Sequence, residues 1–139
     1  MRSIVFYIQA LLVLYLGETG SREVEAYLER VSELKVRGYL NIISLTELHH
    51  ILRRRSGSVA EEERNLLCFG VRTVPVIHNS PLWKKAAAIK AGNALSLADA
   101  FAASTALLHK GTLVTGSDVE FEQVKDLKIE RVGGNRKTE

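Results

Sequence analysis

The sequence predicts an α/β fold, namely a three-layer α/β/α domain with a five-strand, mainly parallel sheet. Short β-prone runs alternate with helical patterns of roughly 10–15 residues, which is typical of parallel sheets covered by helices on both faces. A length of 139 residues suits a single domain. A composition of 46% hydrophobic and 25% charged residues supports a packed core and excludes a disordered chain.

Apolar spacing and helix-ending residues place the elements of the first half of the chain. In order, they are strand Ser3–Tyr7, a helix over Ala10–Tyr15 that ends at Gly17, a surface helix opening at Gly20 and Ser21 with apolar Val24, Tyr27, Leu28, Val31 and Leu34, strand Tyr39–Ile43, and a helix carrying Glu47–Arg55 that Ser44 or Thr46 caps.

The second half continues the alternation. In order, it contains an acidic amphipathic helix Val59–Phe69, strand Val71–Ile77 with Pro75 marking an edge or a strand end, a helix from Ser80 and Pro81 to Ala91, a helix Leu97–His109 capped by Ser96, strand Thr112–Thr115, a short helix around Glu120–Val124, and strand Ile129–Val132. We expect one domain over residues 1–132 and a flexible tail over 133–139.

Cysteine content and hydropathy indicate the cellular compartment of the protein. Cys68 is the only cysteine, which excludes an internal disulfide and a cysteine-based zinc site. The apolar stretch Ser3–Leu16 is too short to span a bilayer and has no small-residue cleavage pattern after it. We therefore expect a cytoplasmic protein with no membrane contact.

The charge balance permits a polyanionic partner. The formal net charge is +3 and the isoelectric point is near 9.1. Arg53, Arg54 and Arg55 form one basic run, and Lys84, Lys85 and Lys90 lie on one later helix. Either patch is also explained as a solvated surface, so charge alone does not identify a nucleic-acid partner.

Three carboxylates fall where a parallel sheet gathers its working residues, beyond the carboxyl ends of the strands. Glu47 follows the second strand, Asp99 lies near the start of a buried helix, and Asp118 follows the fourth strand. Converging acids repel one another unless a divalent cation neutralises them, and Mg²⁺ or Mn²⁺ suits an all-oxygen site. Structural alternatives stay open for each acid, since Asp99 also fits a capping box with Ser96.

The acids lie in three segments, Ser44-Leu45-Thr46-Glu47-Leu48, Leu95-Ser96-Leu97-Ala98-Asp99-Ala100 and Leu113-Val114-Thr115-Gly116-Ser117-Asp118-Val119-Glu120-Phe121, which follow Ala10-Leu11-Leu12 and Leu16-Gly17-Glu18 in the chain. Together these segments resemble the motifs of PIN domains, especially the VapC-type toxins of prokaryotic toxin–antitoxin pairs. Order and spacing agree over nearly the whole chain. In the last motif Ser117 is extra, and Asp118 with Glu120 takes the acidic places.

The resemblance implies a divalent-metal-dependent endoribonuclease that hydrolyses RNA with metal-activated water. Glu47, Asp99 and Asp118 would be the catalytic, metal-binding acids with Glu120 as a helper, and Thr115 and Ser117 would support the site. The resemblance further implies a homodimer, a small antitoxin that covers the acidic groove, and RNA contacts on the groove rim. The basic run Arg53–Arg55 is the candidate for those contacts.

The chain departs from the family at the first strand. Members end this strand with an Asp that ligates the metal, whereas this chain has Tyr7 there. A phenol with an ordinary pKa of about 10 is a poor Mg²⁺ ligand, so the change lowers the expected metal affinity. The alternative is therefore a catalytically degenerate PIN domain that binds RNA or protein.

Two other interpretations have weaker support in the sequence. His50, three positions after Glu47, falls on a similar helix face and is a further ligand or proton-transfer candidate, with a surface role as its alternative. A phosphorylated receiver domain also has a five-strand parallel sheet, but it needs an Asp at the end of strand three. Here His78 and Asn79 follow that strand and no Asp ends it, which disfavours a receiver.

Overall fold

The chain forms a five-stranded sheet between helices in the computed structural model, which describes residues 1–55, 66 and 69–133. The strands are β1 (Arg2–Phe6), β2 (Val36–Asn41), β3 (Arg72–Val74), β4 (Thr112–Thr115) and β5 (Lys128–Arg131). The described helices are α1 (Ile8–Tyr15), α2 (Ser21–Ser32), α3 (Ile42–Arg55), α4 (Leu82–Gly92) and α5 (Leu97–Leu108), with a 3₁₀ helix at Glu120–Gln123.

The sheet has the order β3-β2-β1-β4-β5, and every pair of neighbouring strands is parallel. All four residues of β4 and the last four of β1 are buried. Since successive side chains of a strand point to opposite faces, helices must cover both faces of the sheet centre. The predicted fold class is therefore confirmed. The carboxyl ends of β1, β2 and β4 meet at one rim, here called the carboxyl edge.

The boundary between β2 and α3 differs from the prediction. Ile42 and Ile43 were assigned to the strand but begin the helix. The cause is Asn41, which is fully buried, and whose side-chain oxygen accepts a 2.8 Å hydrogen bond from the N–H of Ile43. Asn41 therefore caps α3, and the predicted caps Ser44 and Thr46 were wrong because both lie inside the helix.

The other boundaries follow the prediction within a few residues. β3 is shorter than expected and ends before Pro75, and it lies at one edge of the sheet, as that proline indicated. α5 begins after the expected cap Ser96, whose hydroxyl accepts a 3.0 Å hydrogen bond from the N–H of Asp99. The predicted helix 59–69 lies largely outside the described residues, as does the predicted tail beyond residue 133.

A close backbone contact holds the described carboxyl-terminal end against the start of α2. A Cβ on Gly20, which has a φ of +105°, would lie 2.5 Å from the Gly133 nitrogen, so only glycine fits. The Gly133 N–H also donates a 3.1 Å hydrogen bond to Glu23 Oε1. Among the described helices, none has the length and apolar character required to cross a bilayer.

Candidate active site

Tyr7 lies at the centre of the carboxyl edge. It follows β1 directly, and its N–H donates a 2.9 Å hydrogen bond to the carbonyl oxygen of Val114, which ties it to β4. Its ring packs edge-on against Phe121 at a centroid distance of 5.0 Å. Only 5% of the residue is exposed, so the phenol is part of the interior of the site.

The Tyr7 hydroxyl donates a hydrogen bond to Asp99 Oδ1. Burial and this bond raise the pKa of the phenol far above its ordinary value, and the charges of Glu47 and Asp118 add to the effect. All three predicted acids therefore lie within electrostatic range of Tyr7. We refer to Glu47, Asp99 and Asp118 as the acidic cluster.

Asp99 has two roles at once. Its Oδ2 accepts a 3.1 Å hydrogen bond from the Ser96 N–H, which completes the capping box of α5, while Oδ1 accepts from Tyr7. The cap fixes the direction of the carboxylate toward the sheet. The capping and site interpretations of Asp99 are therefore compatible, because they use different oxygens.

Glu47 lies on the second turn of α3, one turn after Ser44. Its Oε1 atom and the Ser44 hydroxyl are buried and have no hydrogen-bond partner among the described residues. Burial and the nearby charge of Asp99 raise the pKa of Glu47, and the charge of His50 lowers it in part. A buried carboxylate oxygen without a donor is costly, so a cation, a proton or a bound water would stabilise this side chain.

Asp118 is held by two neighbours on the β4 and β5 side. Its Oδ1 accepts a 2.7 Å hydrogen bond from the Thr115 hydroxyl, and Arg131 Nη1 lies 3.9 Å from the same oxygen. Its Oδ2 is buried and has no hydrogen-bond partner in the described part of the chain. Burial raises the pKa of Asp118, the bond from Thr115 and the charge of Arg131 oppose that shift, and the charge of Glu120 adds to it.

Arg131 fixes the loop that carries Asp118. Its guanidinium donates to the carbonyl oxygens of Gly116, at 3.1 Å, and of Asp118, and it forms a 2.9 Å ion pair with Glu122. The register of β4 and β5 pairs Thr115 with Arg131, which places the guanidinium beneath the loop. Sequence reasoning missed this residue, because only the strand pairing brings it close.

The remaining predicted site residues are more exposed than the acidic cluster. Ser117 and Glu120 are exposed on the loop and on the 3₁₀ helix, so neither is enclosed with the acidic cluster. Arg53, Arg54 and Arg55 are exposed in the last turn of α3, two turns beyond Glu47. Of the lysines, Lys90 donates a 3.0 Å hydrogen bond to the carbonyl of Leu95 and so closes the turn between α4 and α5.

Comparison with known families identifies the chain. The PIN domain family matches residues 9–127, which is most of the 139-residue sequence. The chain belongs to the PIN domain family. No curated protein sequence matches it.

Several solved structures of other proteins have the same fold. A chain of VapBC2 from Rickettsia felis bound to a promoter DNA fragment has a TM-score of 0.72 and 16% identity, over 94% of this chain and 98% of that chain. A chain of FitAcB from Neisseria gonorrhoeae has a TM-score of 0.66 and 22% identity, over 91% and 95%. A chain of a toxin–antitoxin complex from Klebsiella pneumoniae has a TM-score of 0.66 and 19% identity, over 89% of this chain and 94% of that chain.

PIN nucleases generally use divalent metal ions, so the acidic cluster can be tested for its fit to one. Within the described residues, no three His, Cys, Asp or Glu side chains are close enough together to share a metal ion. The buried, unpartnered oxygens of Glu47 and Asp118 are two candidate carboxylate ligands. Mg²⁺ is commonly held by one or two carboxylates, waters and a substrate phosphate. The chemistry of these two side chains is compatible with such a partial site, and the described residues do not form a complete cage.

Proposed function

We propose that this chain is a divalent-metal-dependent endoribonuclease of the VapC toxin kind, whose metal affinity is reduced by Tyr7. The observation that carries the proposal is the pair of buried, unpartnered carboxylate oxygens on Glu47 and Asp118 at the carboxyl edge. Membership of the PIN family supports a nuclease, and the fold shared with toxin–antitoxin proteins supports the VapC kind.

Each member of the site has a separate task in the proposed hydrolysis of an RNA phosphodiester. Glu47 and Asp118 would hold Mg²⁺ or Mn²⁺, and a divalent ion bound there supplies an activated water and stabilises charge on the phosphate. In this hydrolysis a water oxygen would form a new bond to phosphorus and lose a proton, while the bond to the leaving oxygen would break and that oxygen would take up a proton. Thr115 and Arg131 keep Asp118 in place. Exposed Glu120 would add negative charge at the rim.

Tyr7 limits the site in this proposal. Its hydroxyl would compete with a metal ion for one oxygen of Asp99, since that oxygen accepts from Tyr7 and the other accepts from the Ser96 N–H. With the family's first Asp replaced, the ion would be held by two carboxylates instead of four. We therefore expect weak metal binding that becomes effective when the RNA phosphate adds its own oxygen ligands.

The proposed partners follow from the family and from surface charge. RNA would meet the exposed guanidinium groups of Arg53–Arg55, and phosphate charge would make that binding salt-sensitive. By analogy with the toxin–antitoxin complexes that share the fold, a small antitoxin protein would bind this chain and inhibit it. We further propose a cytoplasmic homodimer.

A second candidate function is a PIN domain that binds RNA or protein without cleaving RNA. Two observations favour it. The hydrogen bond from Tyr7 engages Asp99, and the described residues contain no group of three acidic, histidine or cysteine side chains suited to one metal ion. Both candidate functions use the same fold, and they differ in whether the chain cleaves RNA.

A cleavage assay with manganese separates the two candidates. The proteins are the chain itself, Glu47→Gln, and the control Glu25→Gln, which makes the same charge change at an exposed position of α2. We expect manganese-dependent cleavage of a structured RNA by the first and third proteins only. Cleavage that persists in Glu47→Gln or without metal would contradict the proposed site. RNA binding without cleavage by any of the three would establish the second candidate.

A further inference from the structure

A groove of about 670 Å³ lies between the end of α1 and the loop that carries Asp118. We call it the α1 groove. Apolar side chains of Leu12, Leu16 and Val132 and polar side chains of Gln9, Glu18 and Ser117 line it. Its volume is in the range of about 300–1,000 Å³ that is typical of small-ligand sites.

The α1 groove borders the loop that carries Asp118 at two points. Ser117 lines the groove and immediately precedes Asp118. Gln9 belongs to the first turn of α1, and that helix begins directly after Tyr7. The Gln9 side chain lies against Gly116, because a Cβ on that glycine would be 3.1 Å from Gln9 Oε1. A ligand in the groove would therefore lie beside the loop that carries Asp118.

The groove's charge selects the part of an RNA that can enter. None of the described residues lining it is basic, and Glu18 contributes a carboxylate. A phosphate would be repelled there, whereas an uncharged base can place its flat faces against Leu12 and Leu16 and its polar edge toward Gln9 and Glu18. RNA-binding proteins commonly read unstacked bases in this way, by hydrogen bonds to the base edge.

We propose that the α1 groove is a base-specificity subsite that receives the nucleobase adjacent to the scissile phosphate and prefers a base with an exocyclic amino group. The reason is Glu18, because a carboxylate only accepts hydrogen bonds. Guanine presents N1–H and N2–H side by side and matches both carboxylate oxygens, whereas uracil presents one N–H flanked by two carbonyl oxygens. The inference rests on the proposed function for RNA as the substrate.

Nucleoside binding tests the subsite without any cleavage step. The ¹⁵N-labelled full chain is titrated in EDTA with guanosine, cytidine, adenosine and uridine, and amide shifts are followed by NMR. We expect shifts at Gln9, Leu12 and Ser117, and about ten-fold or greater preference for guanosine over uridine, since one bidentate base contact discriminates at about that level or above. Glu18→Gln, whose amide both donates and accepts, should remove the preference, and Glu25→Gln should keep it.

The outcomes distinguish this inference from the proposed function. Equal affinity for guanosine and uridine, or shifts confined to residues outside the groove, would overturn the subsite even if the chain cleaves RNA. Guanosine binding in the groove by a chain that cleaves no RNA would support the subsite and overturn the nuclease. Loss of the preference in Glu25→Gln as well would show that net charge, not Glu18, causes it, and would also overturn the proposal.

Discussion

Replacing Tyr7 with phenylalanine removes one hydroxyl and leaves the ring in its place, 5.0 Å from the ring of Phe121. The lost hydroxyl donates to Asp99, and a hydrogen bond to a charged group contributes about 1.5–3 kcal/mol. Asp99 keeps its bond from the Ser96 N–H. We therefore expect the free energy of unfolding to fall by about 1.5–2 kcal/mol, in the lower part of that range.

Urea denaturation in EDTA measures this change. With a urea dependence of about 1–3 kcal/mol/M, the midpoint should fall by roughly 1 M. Tyr39→Phe is the control, because Tyr39 is half-buried, with its ring 4.3 Å from that of His109, and its hydroxyl makes no hydrogen bond to the described residues. A Tyr7→Phe protein within about 0.5 kcal/mol of the unmodified chain would refute the role assigned to the hydroxyl.

Three further changes test other contacts. Burial and the charge of Asp99 raise the pKa of Glu47, so its contribution to stability is greatest below the ordinary glutamate pKa of about 4.3 and is lost as the pH rises through the folded-state pKa. Glu47→Gln should flatten the decline in the free energy of unfolding as the pH rises above about 4.3, and an unchanged dependence of that free energy on pH would count against the raised pKa assigned to Glu47. Arg131→Met should lower the free energy of unfolding by about 1–3 kcal/mol, because it releases the loop that carries Asp118, and Arg131→Lys should recover only part of the loss. Urea denaturation measures both changes. Gly111→Ala should destabilise the fold by about 1–3 kcal/mol, because its Cβ would lie 2.7 Å from the backbone oxygen of Ser3, whereas Gly92→Ala in open space should change little; equal effects would contradict the close approach.

The sequence predicted the sheet because local signals and the global fold agree. Alternating short strands and helices specify parallel pairing, and Ser96 followed by Asp99 specifies the start of α5. The boundary after β2 was placed too late, because Asn41 takes its capping role from a buried environment that includes a 2.9 Å hydrogen bond to Thr105. Nothing in the local sequence shows that burial.

The site was predicted as a set of acids and not as a set of contacts. Glu47, Asp99 and Asp118 were identified by their positions after strands and by the family motifs, and all three act on the pKa of Tyr7. The bond from Tyr7 to Asp99 joins residues 92 positions apart, and the contact of Arg131 with Asp118 depends on the register of two strands. Contacts of this kind arise from tertiary packing, which spacing along the chain does not report.

The most direct test of the account restores the missing acid. Manganese-dependent cleavage of a structured RNA is compared for the chain, Tyr7→Asp and Asp99→Asn, with folding of each checked by circular dichroism. The account predicts cleavage about ten-fold or more faster by Tyr7→Asp, because even outer-shell changes alter metal affinity or activity about 10–100-fold, and slower cleavage by Asp99→Asn. A folded Tyr7→Asp protein that cleaves no faster than the chain would contradict the claim that Tyr7 limits a metal-dependent nuclease site.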